Sequence, residues 1–266
     1  MTRLAVVGHV EWVNFLAVEQ LPAQGQITPA RRIRENAGGG AVVAATVMAT
    51  LCDEVEFFAA FGEDQHAERA IAELRSRGIT VHAATRPLPS REVITFIDAR
   101  GERSITTIGA RLQPALNDPL PWERLREIDG VYFTAGDDGA LRAARAAGKL
   151  VVTPRICEAL GAVTVDLDAV VYSADDQAER LWASELRDHA ALEVVTEGEH
   201  GGHWSGESSG RWQAVPPPAP VLDSYGAGDS FAAGFTYGLA SGKSVARAAQ
   251  IAAACGARAL THPGGP

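Results

Sequence analysis

The chain reads as one α/β domain built on a parallel sheet with helices on both faces. Three observations predict this. Residues 4–7 are a short apolar run that stops at Gly8, and residues 55–60, apolar except for Glu56, read as another buried strand that ends at Phe61-Gly62-Glu63-Asp64. Beyond Pro114, Pro119 and Pro121, strand-like and helix-like stretches alternate, which implies βαβ units. Two glycine loops, Gly38-Gly39-Gly40 and Gly226-Ala227-Gly228, each lead into a helical pattern of small and apolar residues.

Taken in order, the strand at 4–7 is followed by a stretch from His9 to Gln26 in which Leu21-Pro22 and Gly25 act as breakers. Residues 27–36 are polar and basic, with Arg31, Arg32 and Arg34, and fit an exposed strand outside the main sheet. A buried helix is expected over 41–51 and a strand over 55–60. Asp64 suits the N-cap of the next helix, where Ala67, Ala70, Ile71 and Leu74 form one apolar stripe and Gly78 ends it. A strand begins at 79–84, and 93–98 and 104–108 flank Ala99-Arg100-Gly101-Glu102 as a hairpin. Strands are then expected at 131–134, 150–153, 169–173 and 192–196, with helices at 137–147 and 175–186. Residues 202–212 read as a small hairpin, Pro216-Pro217-Pro218 as a stiff connector, and 245–260 as the last helix.

The totals narrow the function classes. With 46% hydrophobic and 21% charged residues among 266, the composition is that of a globular protein. A net charge of −9 argues against non-specific binding to nucleic acid or to an anionic membrane. Cys52, Cys157 and Cys255 are far apart and form no CxxC pair, so neither a disulfide framework nor a zinc site is expected, and a reducing cytosol is the simplest home. The apolar start is too short for a signal segment, and no apolar run approaches a membrane span.

The chemistry concentrates in Asp223-Ser224-Tyr225-Gly226-Ala227-Gly228-Asp229. Phe231, Phe235 and Leu239 follow at four-residue spacing, so the glycines sit where a loop enters a helix. The first N–H groups of a helix have no internal partners, and the helix dipole adds positive charge there. Small residues let an anion approach that backbone. A carboxylate beside an anion site repels the anion unless it is there to take a proton. An alcohol attacking a phosphoryl group needs such a base, with donors for the phosphate charge next to it. The plainer account is a strand-ending glycine pair with Asp229 as a first-turn helix residue, and it suffices for an isolated Gly-x-Gly-Asp.

The seven residues 223–229 resemble the C-terminal signature of the ribokinase-like (PfkB) carbohydrate kinases. The resemblance extends along the chain: Leu21-Pro22-Ala23-Gln24-Gly25 after the first strand, Gly38-Gly39-Gly40 as the N-terminal di-glycine signature, and Phe61-Gly62-Glu63-Asp64 with Leu74 to Ile79. Gly101-Glu102-Arg103 through Gly109-Ala110 is similar to the lid hairpin, and Thr196-Glu197-Gly198-Glu199-His200-Gly201 to the nucleotide loop. The resemblance implies a doubly wound, mostly parallel sheet and a small β-sheet lid drawn from about 27–36 and 93–108. It implies ATP and Mg²⁺, and a homodimer through the lid. Asp229 would be the base, and the N–H groups of Gly226, Ala227 and Gly228 the anion hole, each donor contributing on the order of 3 kcal/mol to a transition state. Thr196, Gly198 and Gly201 would border ATP, with Cys255 where relatives line the adenine pocket; a buried helix Cys needs no such role. Asp223 and Ser224 would help hold K⁺, as in some relatives, although a loop-capping turn residue explains Asp223 equally well. Ser173-Ala174-Asp175-Asp176 takes the place of an Asn-x-x-Glu motif, with Asp176 reaching Mg²⁺ through water; a helix cap explains Ser173 equally well.

Two departures bear on the acceptor. The position of the family's sugar-binding Asp is Val13, with Glu11 two residues earlier as a longer replacement, and Val42-Val43 stands where an Asn is expected after Gly38–Gly40. Both remove hydrogen-bonding capacity for a polyol. Trp12 would stack on an acceptor ring or simply pack. Arg31, Arg32, Arg34 and Arg103 would face a phosphate-bearing acceptor or solvent. Arg155, at the sheet's carboxyl edge, is a substrate contact or a structural ion pair, and His9 a hydrogen-bonded structural residue. The expectation is a kinase for a hydroxyl of a sugar or sugar-like molecule. Kinases of nucleosides or vitamin precursors are the alternative within the superfamily, and a ligand sensor that lost its chemistry is the alternative outside catalysis.

Overall fold

The computed structural model describes residues 2–100, 103–158, 160, 163–262 and 264, leaving out the side chain of Arg103. The chain opens with β1 (Arg3–Val7), β2 (Glu11–Ala17), β3 (Arg31–Gly38) and α1 (Gly40–Ala49). It continues through β4 (Glu54–Phe61), α2 (Gln65–Ser76), β5 (Thr80–Thr85), β6 (Glu92–Ile97), β7 (Arg103–Ile108), β8 (Gly130–Phe133) and α3 (Asp138–Ala144). The last part holds β9 (Leu150–Val152), β10 (Ala169–Ser173), α4 (Gln177–Leu186), β11 (Leu192–Thr196), β12 (Gly202–Gly206), β13 (Gly210–Trp212), α5 (Ala227–Ala240) and α6 (Val245–Ala259).

Among the described residues, one sheet has nine strands in the order β13-β12-β11-β10-β9-β8-β1-β4-β5. All neighbours from β5 to β11 pair parallel, and β12 and β13 close one edge antiparallel. Alternation along each strand divides the core. Leu4, Val6, Phe57, Tyr132 and Val194 join one apolar cluster with α1, α2, α5 and α6. Ala5, Val7, Phe58, Val131 and Phe133 join the other with α3 and α4. That two-sided burial is why these strands read as mostly apolar runs, broken by Glu56 in β4 and Glu193 in β11; each buried Phe or Val contributes roughly 1.5–3 kcal/mol.

Local signals act as expected. The Ala67 N–H donates to Asp64 Oδ1 at 2.9 Å and caps α2. Gly78, at φ 79°, lets the chain leave that helix. Asp176 rather than Ser173 caps α4, accepting from the Glu179 N–H at 3.0 Å.

The second sheet runs β3-β2-β6-β7. β6 and β7 are the expected hairpin, with Gly101 and Glu102 of its turn outside the described residues. Its centre is β2, in the stretch where residue patterning gives no strand. β2 is nearly all apolar because Trp12, Val13 and Phe15 are buried, so alternation is lost.

Sheet order places the site. The chain runs outward from β1 to β4 and β5, then crosses back to β8 on the other side of β1. In open α/β sheets ligands bind beyond the carboxyl ends of the strands at such a reversal. Gly8 to Glu11 leave β1 there, and Tyr132 to Thr134 end β8.

Candidate active site

The signature loop enters α5 at Gly226, whose φ of 73° is left-handed and whose Cβ position lies 2.8 Å from Val43 Cγ1. Only glycine suits that conformation and that contact. The next residues open the helix, so their N–H groups have no intrahelical acceptors, and the Ala227 N–H makes only a long 3.4 Å bond to the Ser224 carbonyl of the loop. A Cβ on Gly228 would meet nothing within 4 Å, so the ground before those N–H groups is open. Asp229 lies in the first turn, partly buried. Its Oδ1 accepts the Tyr132 hydroxyl at 3.2 Å. On another side stands Gly40, where a Cβ would come within 2.5 Å of Oδ1. Burial pushes the Asp229 carboxyl up to about 6; Glu179 and Glu11 also raise it, against Tyr132 and Arg155. A carboxyl in that range can hold and release a proton near neutral pH.

The two glycine loops are tied together. The Gly39 N–H donates to the Tyr225 hydroxyl at 3.0 Å, and the Tyr225 ring meets Phe15 of β2 edge-on at 5.8 Å. Asp223 Oδ1 accepts the Tyr225 N–H at 2.8 Å, and Oδ2 accepts the Gly264 N–H at 2.5 Å. Ser224 beside it is exposed.

Next to Gly39 lies a charged cluster. His9 Nε2 is 3.4 Å and Arg91 Nη1 3.3 Å from Glu11 Oε1. Arg111 Nε donates to His9 Nδ1 at 3.2 Å, and its Nη1 to Glu158 at 2.9 Å. Accepting at Nδ1 leaves His9 with its proton on Nε2, facing Glu11. Burial lowers the His9 pKa, which favours that neutral form. Burial alone would raise Glu11, but His9, Arg91 and Arg111 outweigh it and hold the carboxylate below its usual range. Val13 is fully buried in the cluster with Phe15 and Val93, and Gly38 backs onto it. Trp12 is 3% exposed, stacked on His66 at 5.2 Å and with the Arg69 guanidinium over its ring at 4.2 Å, so it packs rather than faces a ligand. Arg31 and Arg32 are exposed, and Arg34 lies over Phe15 at 4.7 Å.

On the other side of Asp229, Arg155 forms ion pairs with Asp176 and, at 2.7 Å, with Glu179. Among the described residues no three His, Cys, Asp or Glu side chains converge on a metal position. Asp176 has oxygen donors of the kind Mg²⁺ takes, but its carboxylate already caps α4 and pairs with Arg155, so it fits an ion carried by ATP phosphates and reached through water. Thr196 ends β11, and its hydroxyl donates to the Tyr172 carbonyl at 3.3 Å. Gly198 and Gly201 follow at φ 57° and 83°, making a tight turn between β11 and β12. Cys255 lies on α6 and faces α5, its sulfur 2.9 Å from the Cβ position of Gly234, and burial pushes its thiol up to about 11.

Patterning alone did not single out Tyr132, Arg91 or Arg111. Tyr132 hides in a four-residue strand buried on both faces, where no alternation says which side chain reaches a ligand. The arginines follow loops whose paths only the fold sets.

No described helix is long and apolar enough to cross a membrane. The pfkB family carbohydrate kinase profile matches residues 1–265. Over 281 aligned residues the chain is 26% identical to the ATP-dependent ribose-1-phosphate kinase of Halopiger xanaduensis, covering 97% of this chain and 91% of that protein. It is 38% identical to the fructoselysine 6-kinase of Escherichia coli over a shorter stretch, 28% of each chain. Ribokinase from Thermotoga maritima superposes with a TM-score of 0.80 at 18% identity, covering 98% of this chain and 94% of that one. Arabidopsis thaliana ribokinase, solved with ribose and ATP, gives 0.77 at 20% identity, covering 100% and 95%. A signature loop feeding α5, a sheet that reverses at β1 and a profile match from end to end leave one conclusion: the chain belongs to the pfkB family of carbohydrate kinases, phosphotransferases that use a hydroxyl group as acceptor.

Proposed function

We propose that the chain transfers the γ-phosphoryl group of ATP to a hydroxyl of a sugar or sugar-like molecule held between Asp229, the Gly38–Gly40 loop and Glu11. The observation that carries this is Asp229 itself: a carboxyl pushed up to about 6, in the first turn of α5 and against Gly40. Asp229 takes the proton of the attacking hydroxyl. The N–H groups of Gly226, Ala227 and Gly228 receive the charge that gathers on the transferred group. Thr196, Gly198 and Gly201 border the nucleotide. Mg²⁺ arriving with ATP would neutralise phosphate charge, and Asp176 would help hold it through water. Asp223 and Ser224 shape the loop ahead of the anion hole, and K⁺ dependence belongs in the same assay. The family's sugar-binding Asp being replaced by buried Val13, Glu11 becomes the hydroxyl-binding carboxylate. Arg91 and Arg111 on the acceptor side, together with the name of the long-range relative, bring sugar 1-phosphates onto the list of acceptors.

The test is ADP release with ATP and Mg²⁺ against sugars, sugar phosphates, fructosamines, nucleosides and vitamin precursors, with Asp229→Asn beside the wild type. The expected result is one acceptor class turned over by the wild type and lost at least about 1,000-fold in the variant. Near-normal turnover by Asp229→Asn would refute the role of Asp229. Edge strands β3 and β7 expose Ile33, Ile105 and Ile108, which supports a homodimer through the small sheet. Light scattering that gives a monomer at micromolar concentration would refute it.

A further inference from the structure

The base has a partner that the family signature does not contain. Tyr132 lies on β8, remote in sequence from Asp229, and its side chain is 2% exposed. Its hydroxyl is 3.2 Å from Asp229 Oδ1. A tyrosine hydroxyl facing a carboxylate donates. Burial, then Asp229 and Glu179, raise the Tyr132 pKa well above its ordinary value, so the phenol keeps its proton and remains a donor. No described residue donates to the other oxygen, Oδ2. Gly40 closes a further side, since its Cβ position falls 2.5 Å from Oδ1 and 2.8 Å from Oδ2. The carboxylate is thus held between a hydroxyl from the sheet and the backbone of the glycine loop.

From this geometry we infer that Tyr132 is a positioning residue: its hydroxyl anchors Oδ1 of Asp229 and presents Oδ2 to the acceptor hydroxyl. The inference rests on Asp229 being the base. In the reaction the acceptor O–H proton passes to Oδ2 as the acceptor oxygen bonds to phosphorus and ADP leaves. Tyr132 gives up no proton; its hydrogen bond is kept throughout. The bond also favours the charged carboxylate, so it keeps more of the enzyme ready to accept a proton near neutral pH. The groups acting on Asp229 are Tyr132 from β8, Glu179 from α4, Arg155 from the turn after β9, and Glu11 from β2. Among the described residues, only Tyr132 forms a direct hydrogen bond to its carboxylate.

The experiment compares wild type with Tyr132→Phe, which keeps the ring and removes the hydroxyl. Two readouts are used. The first is the pH profile of kcat/KM with the acceptor found above, and the second is direct titration of Asp229 by carboxyl ¹³C NMR, its signal identified by its loss in Asp229→Asn. The acid limb and the NMR titration should both move up by roughly one pH unit. Turnover should fall several-fold near pH 6 and recover toward pH 9, with acceptor KM little changed. An unmoved limb and an unmoved titration, or an equal loss at every pH, would overturn the inference. If the variant does not fold, a fluorinated tyrosine at 132, a stronger donor, should move the limb downward, and an unmoved limb there overturns it equally. The NMR titration needs no acceptor, so it separates failure of Tyr132 as anchor from failure of Asp229 as base.

Discussion

Asp229→Asn should make the protein more stable while removing its turnover. Burial moves the Asp229 carboxyl from its ordinary 3.8 to about 6. The folded chain therefore binds a proton that the unfolded chain has already released between those two values. Below the lower value the group is neutral in both states and costs nothing. Above the upper value it is charged in both, and the folded state carries the whole penalty. At about 1.4 kcal/mol per unit, the shift amounts to about 3 kcal/mol. Asn keeps the shape and an oxygen for the Tyr132 hydroxyl, but has no charge to desolvate. The expected gain is about 3 kcal/mol near pH 8, or roughly 5–10 °C in melting temperature for a chain of this size. The gain should shrink toward zero near pH 4. Thermal melts of both proteins by circular dichroism at acid and alkaline pH measure it. Equal melting temperatures near pH 8, or a gap as wide near pH 4, would refute the reasoning. Such a trade of stability for a charged working group is common at active sites.

Three further outcomes follow from the same geometry. Gly40→Ala places a methyl 2.5 Å from Asp229 Oδ1; displacing the carboxylate should lower kcat by about 100-fold or more while calorimetry shows ATP binding retained. Gly226→Ala strains a backbone at φ 73° and meets Val43 at 2.8 Å; urea unfolding should show a loss of about 2 kcal/mol or more. Glu56, 8% exposed, accepts from Arg124 Nε at 2.8 Å and pairs with His82 Nε2 at 2.7 Å, far from the site. Burial raises its carboxyl, but Arg124 and His82 outweigh that and hold it below its ordinary 4.5. A lowered carboxyl stabilises the fold above its unfolded value and loses that as pH falls. Glu56→Gln should therefore cost about 2 kcal/mol near neutral pH, with the gap closing toward pH 3 in acid unfolding curves.

Much of the fold was legible because its signals are local. Residues 55–60 are apolar except for Glu56, which is buried in ion pairs with Arg124 and His82, since both faces of β4 are covered, and the Asp64 cap and Gly78 exit mark α2 to within a residue or two. The small sheet was legible in three of its four strands, β3, β6 and β7. β6 and β7 alternate around a turn, but β2 looks like no strand because Trp12, Val13 and Phe15 are all buried. Arg155 shows the limit at the site: its place at the sheet edge suggested substrate or ion pair alike, and its bonds to Asp176 and Glu179 depend on where α4 packs.

By itself the sequence determined the family, the reaction class and the residue to test. A loop of small residues entering an apolar helix, with a carboxylate in its first turn, carries that chemistry within seven consecutive positions. Tertiary structure alone decided what surrounds the carboxylate. Tyr132 and Gly40 come from a strand and a helix start, and the charge of Glu11 acts from the other sheet; they gather around Asp229 only because the sheet reverses direction at β1. A proton acceptor's strength is set by desolvation and by partners within a few ångströms, and chain order does not encode those distances.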